Sequence, residues 1–362
     1  MTDDSKPVIL ITGVSGEVGE AIVGALGDGY TIVGMDQAGK SASVPIVPID
    51  LTEDASVAYA FETFRDRYGG AIASVIHLAG YFDFTGEDDP LYHTLNVAGT
   101  RRLMEALKPF RVGQIAYAGT MLVHAAVSPG EHLDEERRLD PQWIYPQSKL
   151  DAEDVIRAEH GVTPFVLFHL AGLYSEKTVV PTLAHQIARI YERDLESHVY
   201  PGNRDTGQSM VHHADMADAF RRAVDRRADL PEETVILVGE PDPIGYAALQ
   251  DRLGELVHGE QWATIRIPQI AAATGAWVEE KVLPHLPKTI GGGKEPFIRP
   301  FMAWQGSDHY ALDIRRAKTL LCWSPSHHLT ATLPEIVDGL KRDPETWYKA
   351  NGIVSKSDEK NG

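Results

Sequence analysis

The sequence has almost no cysteine. Cys322 is the only one among 362 residues, so an intrachain disulfide is impossible and a cluster of metal-binding thiolates is excluded. Basic residues are also few, 34 against 52 acidic ones, and the formal net charge of −18 disfavours a nucleic acid or an anionic membrane as partner. No apolar run approaches the ~18 residues of a membrane span, and the polar start MTDDSKP shows no signal peptide. We expect a soluble, cytoplasmic protein that binds neither nucleic acid nor membrane.

What is present is an alternation of two kinds of segment. Short apolar, β-branched runs predict strands at 7–12, 31–36, 44–50, 73–80, 113–119, 164–172 and 234–239. Amphipathic stretches between them predict helices at 16–26, 55–68, 90–107, 143–159 and 215–226. Strands that are apolar throughout and alternate with helices are typical of a parallel sheet covered on both faces, which indicates the α/β class.

The alternation weakens after about residue 175. Proline and glycine are frequent in 175–208 and 240–310, which favours a smaller lobe over further sheet layers. We therefore predict a sheet domain built from 1–174 and 209–240, and a lobe built from 175–208 and 241–330. A C-terminal helix and a frayed tail are expected in 331–362.

Glycines follow the first predicted strand. In TGVSGEVG, Gly13, Gly16 and Gly19 have GxxGxxG spacing and open a helix, so that a pyrophosphate could approach the helix N-terminus, with Glu17 and Val18 beside it. The second strand ends at Asp36. A carboxylate there would accept hydrogen bonds from an adenosine ribose and repel a 2′-phosphate, which favours NAD over NADP, although Lys40 follows closely and Asp36 could be a simple turn residue.

Two further strand ends carry residues that suit a dinucleotide. Asp50-Leu51 follows the third strand, and an aspartate there can bond the adenine amino group. HLAG ends the fourth, and its Leu78, Ala79 and small Gly80 would let a cofactor lie against the backbone. Carboxyl ends of strands are where open α/β sheets bind ligands, so all these residues are predicted to line one sheet edge.

The segment YPQSK adds a possible catalytic pair. Tyr145 and Lys149 are four residues apart, so on a helix they share one face. An isolated pair of this kind is most often helix surface. Near a cofactor, the ammonium would lower the pKa of the phenol, which is otherwise close to ~10 and a poor base at neutral pH.

Taken in order, these motifs resemble an extended short-chain dehydrogenase/reductase, of the NAD-dependent epimerase/dehydratase family. NVAGT at 96–100 also matches, and the segment LDIRRAKTLLCWSP at 312–325 is similar to a late segment of that family. The resemblance covers about 7–240. It implies a Rossmann-type doubly wound parallel sheet that binds NAD, with a smaller C-terminal substrate-binding lobe.

The resemblance also implies roles for single residues. Tyr145 would give or take the proton, and Thr120 would orient the substrate oxygen. Lys149 would lower the pKa of the Tyr145 phenol and hold the nicotinamide ribose. Asn96 would hold the backbone and a water near Lys149. Leu170 is placed with the cofactor, and the residues placed beside the substrate are Tyr81, Met121, Leu122 and Gly172.

Departures from the family pattern narrow the range of expected substrates and reactions. Met121 and Leu122 stand where dehydratases carry Asp-Glu, so dehydration by that route is not expected. Gln208 replaces an arginine that binds nucleotide diphosphates, and a second arginine is missing before Asp308, although Arg204 or Arg299 could substitute. His169 replaces a third arginine and is interpreted as structural.

The lobe sequence is rich in large apolar residues. An apolar pocket for a sterol, terpenoid or aryl alcohol would have this composition, and so would an ordinary small core. The residues concerned are Trp262, Trp277, Phe297, Phe301, Met302 and Trp304. The histidine pairs at 212–213 and 327–328 lack partners at ligand spacing, so no metal is assigned.

Together these observations predict an NAD-dependent oxidoreductase acting on a secondary alcohol or ketone. Alternatives are an NAD-dependent nucleotide-sugar epimerase and, from another class, a non-catalytic NAD sensor. The helices at 90–107 and 143–159 resemble those that pair in family dimers, so a homodimer is expected. Positions that could form its seams are Leu91, Leu95, Leu103, Leu107, Leu150, Val155 and Ile156.

Overall fold

A computed structural model of the chain describes residues 6–83, 87–200, 202–266 and 307–353. Its central feature is a sheet of parallel strands, here labelled β1 to β7 along the chain. Their bounds are Val8–Thr12, Thr31–Asp36, Ile46–Pro48, Ser74–His77, Ile115–Thr120, Phe165–Leu170 and Glu233–Val238. The order across the sheet is β3-β2-β1-β4-β5-β6-β7. The expected α/β class and doubly wound topology are confirmed, and each of the seven strands lies within its predicted segment or one residue beyond it.

Helices cover the sheet and build the lobe. In chain order α1 to α10 are Glu17–Leu26, Asp54–Tyr68, Ala98–Leu107, Ile144–Glu159, Pro181–Tyr191, His213–Asp225, Tyr246–His258, Arg315–Leu321, Leu329–Arg342 and Pro344–Ala350. The helix predicted at 90–107 divides into a π-helical segment, Tyr92–Val97, and α3. Short 3-10 turns occur at Gly27–Gly29, Met121–Val123 and Leu195–His198.

Short strand pairs lie outside the main sheet. Ala71–Ile72 pairs with Arg111–Val112, Gly172–Tyr174 with Met210–His212, and Val199–Tyr200 with Ile265–Arg266. The second of these pairs joins the segment after β6 to the segment before α6 through the register Leu173↔Val211. It therefore fixes the start of the lobe against the sheet domain.

Separate apolar clusters form the cores of the two parts. The sheet packs on both faces, with Ile9 and Ile11 on one side and Leu10 and Val33 on the other. This division follows from the alternation of side chains along a strand. The lobe has its own cluster, which includes Leu183, Leu253, Trp262, Leu333 and Trp347 from α5, α7, α9, α10 and the segment after α7.

The boundary of the lobe differs from the one expected from sequence. Leu312, Ile314, Leu321 and Trp323 pack into the sheet core, and the Trp323 indole donates to the carbonyl of Asp215 at 2.9 Å. The chain therefore returns to the sheet domain before α9 enters the lobe. Within the described ranges, no helix combines the length and the hydropathy that crossing a bilayer would require.

Candidate active site

The winding of the sheet reverses between β1 and β4, and the chain leaves these two neighbouring strands in opposite directions. Gly13 follows β1 with φ +72°, a conformation that L side chains rarely adopt, and a Cβ there would lie 2.8 Å from the Ala79 nitrogen. A Cβ on Gly19 would lie 2.3 Å from the Val14 carbonyl oxygen, so this glycine lets α1 approach the chain after β1. A crevice lies between the ends of β1 and β4, at the point where the winding reverses. Sheets of this kind bind ligands at that point.

This crevice is a groove of about 870 Å³ along the carboxyl edge of the sheet. It brings together ten of the residues predicted to hold a cofactor: Gly13, Gly16, Glu17, Val18, Asp36, Asp50, Leu51, Leu78, Ala79 and Gly80. Gly19, Asn96, Tyr145, Lys149 and Leu170, also predicted to hold it, do not line the groove. Ser15, Gln37, Thr52 and His213 also line it and were not anticipated.

Asp36 sits at the end of β2, facing the glycine turn. Its carboxylate accepts hydrogen bonds from the Ser15 nitrogen at 3.0 Å and hydroxyl at 2.6 Å, and from the Gln37 nitrogen at 2.8 Å. Asp50 is held by its own turn, since Thr52 donates to it from both nitrogen and hydroxyl at 2.9 and 2.7 Å. Both carboxylates are therefore oriented within the groove before any ligand binds.

The π-helical segment positions Asn96. Its amide oxygen accepts from the Tyr81 nitrogen at 2.6 Å, and its amide nitrogen donates to the Tyr81 carbonyl at 3.0 Å and to Ser148 Oγ at 2.9 Å. Ser148 in turn donates to the carbonyl of Tyr145 at 2.8 Å. Asn96 thus ties the chain after β4 to the first turn of α4. The water expected beside it stays a prediction.

Behind this segment, a buried histidine is fixed in its neutral form. The Thr100 hydroxyl donates to the Asn96 carbonyl at 2.6 Å and must therefore accept from His77 Nε2 at 2.9 Å. His77 Nδ1 then accepts from the Thr12 hydroxyl at 2.7 Å. Burial and the nearby charge of Lys149 lower the pKa of His77 to about 3, which agrees with a neutral ring.

Tyr145 lies in the first turn of α4, and its phenol hydrogen-bonds Thr120 at the end of β5. Phe82 packs edge-on against the Tyr145 ring at 4.7 Å between centroids, and Trp143 lies at 5.4 Å. Neither aromatic was anticipated as a site residue; the only signal is that Trp143 directly precedes the YxxxK helix. Both rings therefore pack against the ring of Tyr145.

Lys149 follows one turn later and is 6% exposed. Its Nζ lies 4.5 Å from the centroid of the Tyr117 ring. Burial lowers the pKa of Lys149 to about 8, while Glu153 opposes that effect. Burial also raises the pKa of Tyr145 above its ordinary value, with Thr120 acting in the opposite direction. Burial is the largest effect on the phenol, and the lowering of its pKa by Lys149 stays a prediction.

A cavity of about 530 Å³ leads from these side chains into the lobe. Thr120, Tyr145 and Lys149 line this cavity, together with Leu170 and the predicted substrate residues Tyr81, Met121, Leu122 and Gly172. Apolar side chains from the lobe form most of the remaining wall, among them Leu173, Val180, Leu183, Val199, Met210, Ile244 and Leu249.

A few polar groups interrupt the apolar wall. Gln186, Arg189, Gln208 and Asp308 line it, and Tyr200 stacks on Tyr246 with centroids 3.5 Å apart. Burial raises the pKa of Asp308 to about 6. Gln208 and Asp308 mark the positions near which the family pattern has arginines that bind a nucleotide diphosphate.

Other candidates from sequence occupy different places. Trp262 belongs to the lobe core, stacking on His198 at 4.5 Å and donating to Ser197 Oγ at 2.9 Å. Trp277, Phe297, Phe301, Met302, Trp304 and Arg299 lie outside the described residues. His212 caps α6 and stacks on His327 at 4.1 Å. Within the described part of the chain, no group of three or more His, Cys, Asp or Glu side chains could hold a metal ion.

The groove fits a dinucleotide on its own geometry. A glycine turn and the N-terminus of α1 suit a pyrophosphate, and Asp36 ends β2 where a ribose would lie. A Cβ on Gly80 would meet Asn96 Oδ1 at 3.2 Å and Lys149 Nζ at 3.7 Å, so the glycine keeps the path toward these side chains open.

Comparisons with known proteins identify relatives of the chain. A 184-residue match is 28% identical to a UDP-glucuronate 4-epimerase of Thermodesulfobacterium geofontis, covering 45% of the chain and 52% of that protein, so the chain spans about half the length of this relative. A 244-residue match is 26% identical to an NAD-dependent glucose-6-phosphate dehydrogenase of Haloferax volcanii, covering 66% and 87%.

The fold also matches solved structures. One is the UDP-glucose 4-epimerase of Thermus thermophilus in complex with NAD, with a TM-score of 0.66 and 20% identity over 93% of this chain and 99% of that one. At that identity the likeness concerns the fold. The sequence model of the NAD dependent epimerase/dehydratase family matches residues 9–239. The chain therefore belongs to the NAD-dependent epimerase/dehydratase family.

Proposed function

We propose that the protein transfers hydride between NAD and a secondary alcohol or ketone, using Thr120, Tyr145 and Lys149. One observation carries the proposal. The dinucleotide groove and the lobe cavity share eight lining residues, Val18, Leu78, Gly80, Tyr81, Phe82, Leu173, Val180 and Pro181, and the three side chains line the same cavity. A substrate carbon in the cavity would therefore be next to the nicotinamide end of the groove.

Each side chain has a defined task in the oxidation of an alcohol. Bound NAD supplies the hydride acceptor, and NADH the donor in the reverse direction. Tyr145 takes the hydroxyl proton as the C–H bond breaks, and returns a proton to the carbonyl oxygen in reduction. The Thr120 hydroxyl orients the substrate oxygen. Lys149 stabilises the ionised phenol by its charge and holds the nicotinamide ribose.

A nucleotide-sugar 4-epimerase is the second candidate function. The same residues can oxidise and then re-reduce one carbon, and a UDP-glucuronate 4-epimerase is among the relatives. Against it, Gln208 and Asp308 line the cavity near the positions where the family's arginines would bind a diphosphate, and Arg189 is the one arginine among the described residues that line it. The largely apolar wall favours a substrate with an apolar body.

Substitution of the phenol tests the proposed mechanism. Tyr145→Phe keeps the ring and its contacts with Phe82 and Trp143, so we expect wild-type NAD affinity and a loss of nearly all turnover. Lys149→Met should weaken NAD binding and move the rising limb of kcat against pH to higher pH, because the phenol loses a stabilising charge. Measurements use saturating NAD and substrate. Wild-type turnover in Tyr145→Phe, or an unmoved limb in Lys149→Met, contradicts the mechanism.

Product analysis separates the two candidate functions. Net oxidation accumulates NADH, which is followed by absorbance, during incubation with a panel of alcohols. Epimerisation leaves NAD unchanged while the configuration of a sugar nucleotide inverts, which is followed by chromatography. Inversion without net NADH would replace the first candidate with the second.

A further inference from the structure

Three buried titratable side chains, His124, His169 and Glu153, form a hydrogen-bonded row near Lys149, the candidate catalytic lysine. His124 and Glu153 are fully buried and His169 is 1% exposed. They meet beside Gly119, where a Cβ would lie 2.7 Å from Glu153 Oε1 and 3.4 Å from His169 Cδ2. The missing side chain at Gly119 therefore provides the space in which the carboxylate and the imidazole pair.

The hydrogen bonds along this row determine which of its nitrogen atoms carry hydrogens. His124 Nδ1 lies 2.9 Å from the carbonyl oxygen of Arg137, which can only accept, so this nitrogen carries a hydrogen. Burial, together with the charge of His169, lowers the pKa of His124 to about 4, so the ring is neutral and its Nε2 is an acceptor. His169 Nδ1 lies 2.7 Å from that nitrogen and must donate to it.

The other nitrogen of His169 faces a carboxylate. Nε2 lies 3.1 and 3.2 Å from the two oxygens of Glu153. With one hydrogen already on Nδ1, a neutral His169 would direct a lone pair at an ionised carboxylate. The contacts are satisfied when His169 carries both hydrogens and Glu153 is ionised. Burial alone would raise the pKa of Glu153, but His169, Arg157 and Lys149 outweigh burial and lower it.

Glu153 is the anion of α4 whose charge acts on Lys149. The two are four residues apart and share one helix face. Arg157 Nη2 lies 3.6 Å from Glu153 on the side away from Lys149. A buried ammonium is costly unless an opposite charge compensates it. The ionised Glu153 supplies that charge.

We propose that His169 and Glu153 are positioning residues for the lysine: the imidazolium keeps Glu153 ionised, and ionised Glu153 keeps Lys149 charged. The inference rests on the proposed role of Lys149 in holding the nicotinamide ribose. Other charged groups face the row of His124, His169 and Glu153 from neighbouring elements. Asp134 acts on His124, Glu135 on His169, and Arg316 lies 3.4 Å from Glu135.

Binding of NADH as a function of pH tests the proposal without turnover. In the wild type, affinity should fall as pH rises through the pKa of Lys149, about 8. Glu153→Gln removes the compensating anion, so the fall should move to lower pH by roughly 1 unit. His169→Asn should produce the same shift, because the carboxylate loses its cation and takes up a proton. His169→Arg should restore the wild-type profile.

A control and a second measurement complete the test. Glu240→Gln removes a buried carboxylate that accepts hydrogen bonds from the Tyr174 hydroxyl and the Leu329 nitrogen, and its profile should match the wild type. Nitrogen-15 spectra of the free protein, with His169 assigned through His169→Asn, should show two protonated ring nitrogens at neutral pH. Wild-type profiles in both Glu153→Gln and His169→Asn, or an unprotonated nitrogen in His169, would overturn the proposal whatever the substrate is. The spectra decide the matter even where His169→Arg does not fold.

Discussion

At the scale of single residues, the environment of Tyr145 determines how the site can work. Burial between aromatic rings raises the pKa of the phenol, and the hydrogen bond with Thr120 opposes that effect. A protonated phenol is the form that donates to a carbonyl in reduction. In the proposed mechanism, oxidation uses the phenolate, which a nearby cation would stabilise, and Lys149 is buried one helical turn away. Whatever keeps Lys149 charged would therefore favour the ionised phenol.

Asp36 should set the choice of cofactor. Its carboxylate would bond the adenosine ribose and repel a 2′-phosphate, so we expect NAD to bind at least about tenfold more tightly than NADP, or about 1.4 kcal/mol. Asp36→Ser should reduce this difference. Glu20→Ser is the control, because Glu20 accepts from Ser43 at 2.6 and 2.8 Å and does not line the groove. Dissociation constants of both cofactors, measured by calorimetry, give the answer; equal values in the wild type would refute the role of Asp36.

The motif residues of the site could be predicted from sequence, but the residues that contact them could not. Gly13, Asp36 and Tyr145 belong to short local patterns whose meaning depends on a strand or a helix that the same segment forms. Ser15 and Phe82 contact Asp36 and Tyr145 only because the sheet brings separate segments together. Ser15 lies inside the glycine motif, yet nothing in its spacing indicates a bond to the end of β2.

At the scale of elements, the contact of α1 with the chain after β1 determines the shape of the groove. A Cβ on Gly19 would lie 2.3 Å from the Val14 carbonyl oxygen, which is backbone and cannot rotate away. We expect Gly19→Ala to lower the free energy of unfolding by about 1–3 kcal/mol, as overpacking does, and to weaken NAD binding because α1 must move.

Gly24→Ala is the matched control in the same helix. Nothing lies within 4 Å of its Cβ position, so we expect this change to raise stability by about 0.5–1 kcal/mol through helix propensity. Urea denaturation of both variants provides the comparison. Equal stability changes in the two variants would show that the close approach of α1 is not required.

The alternation of strands and helices was predictable because fully buried strands and half-buried helices differ in hydrophobic period. The π-helical segment Tyr92–Val97 was not, since its apolar pattern fits an ordinary helix. There, Asn96 bonds the backbone of Tyr81, fifteen residues earlier. The return of Leu312 and Trp323 to the sheet core was equally hidden, because periodicity shows that a face is buried but not what covers it.

At the scale of the whole molecule, fewer of the predicted apolar positions are available for a dimer interface than the sequence suggested. Leu103, Leu107, Val155 and Ile156 are at most 5% exposed and already pack in the protomer's own core. Leu91 is 37% exposed, and Leu95 and Leu150 are partly buried. Between α3 and α4, Arg101 pairs with Glu159 at 3.1 Å, so the outer face of these helices carries both charges and a few apolar positions.

A homodimer through α3 and α4 should therefore depend on ionic strength. Each protomer has a formal charge of −18, so two protomers repel each other, whereas the seam offers little apolar area to compensate. Salt shortens the Debye length from about 10 Å at 0.1 M to about 3 Å at 1 M, which weakens this repulsion. We expect light scattering at micromolar protein to show a dimer that tightens as salt is added. Leu91→Glu should shift the equilibrium toward monomer, while Tyr59→Glu, at a 70% exposed position on α2, should not. A monomer mass at both salt concentrations would exclude this assembly, because screening would then have removed the repulsion without revealing any attraction.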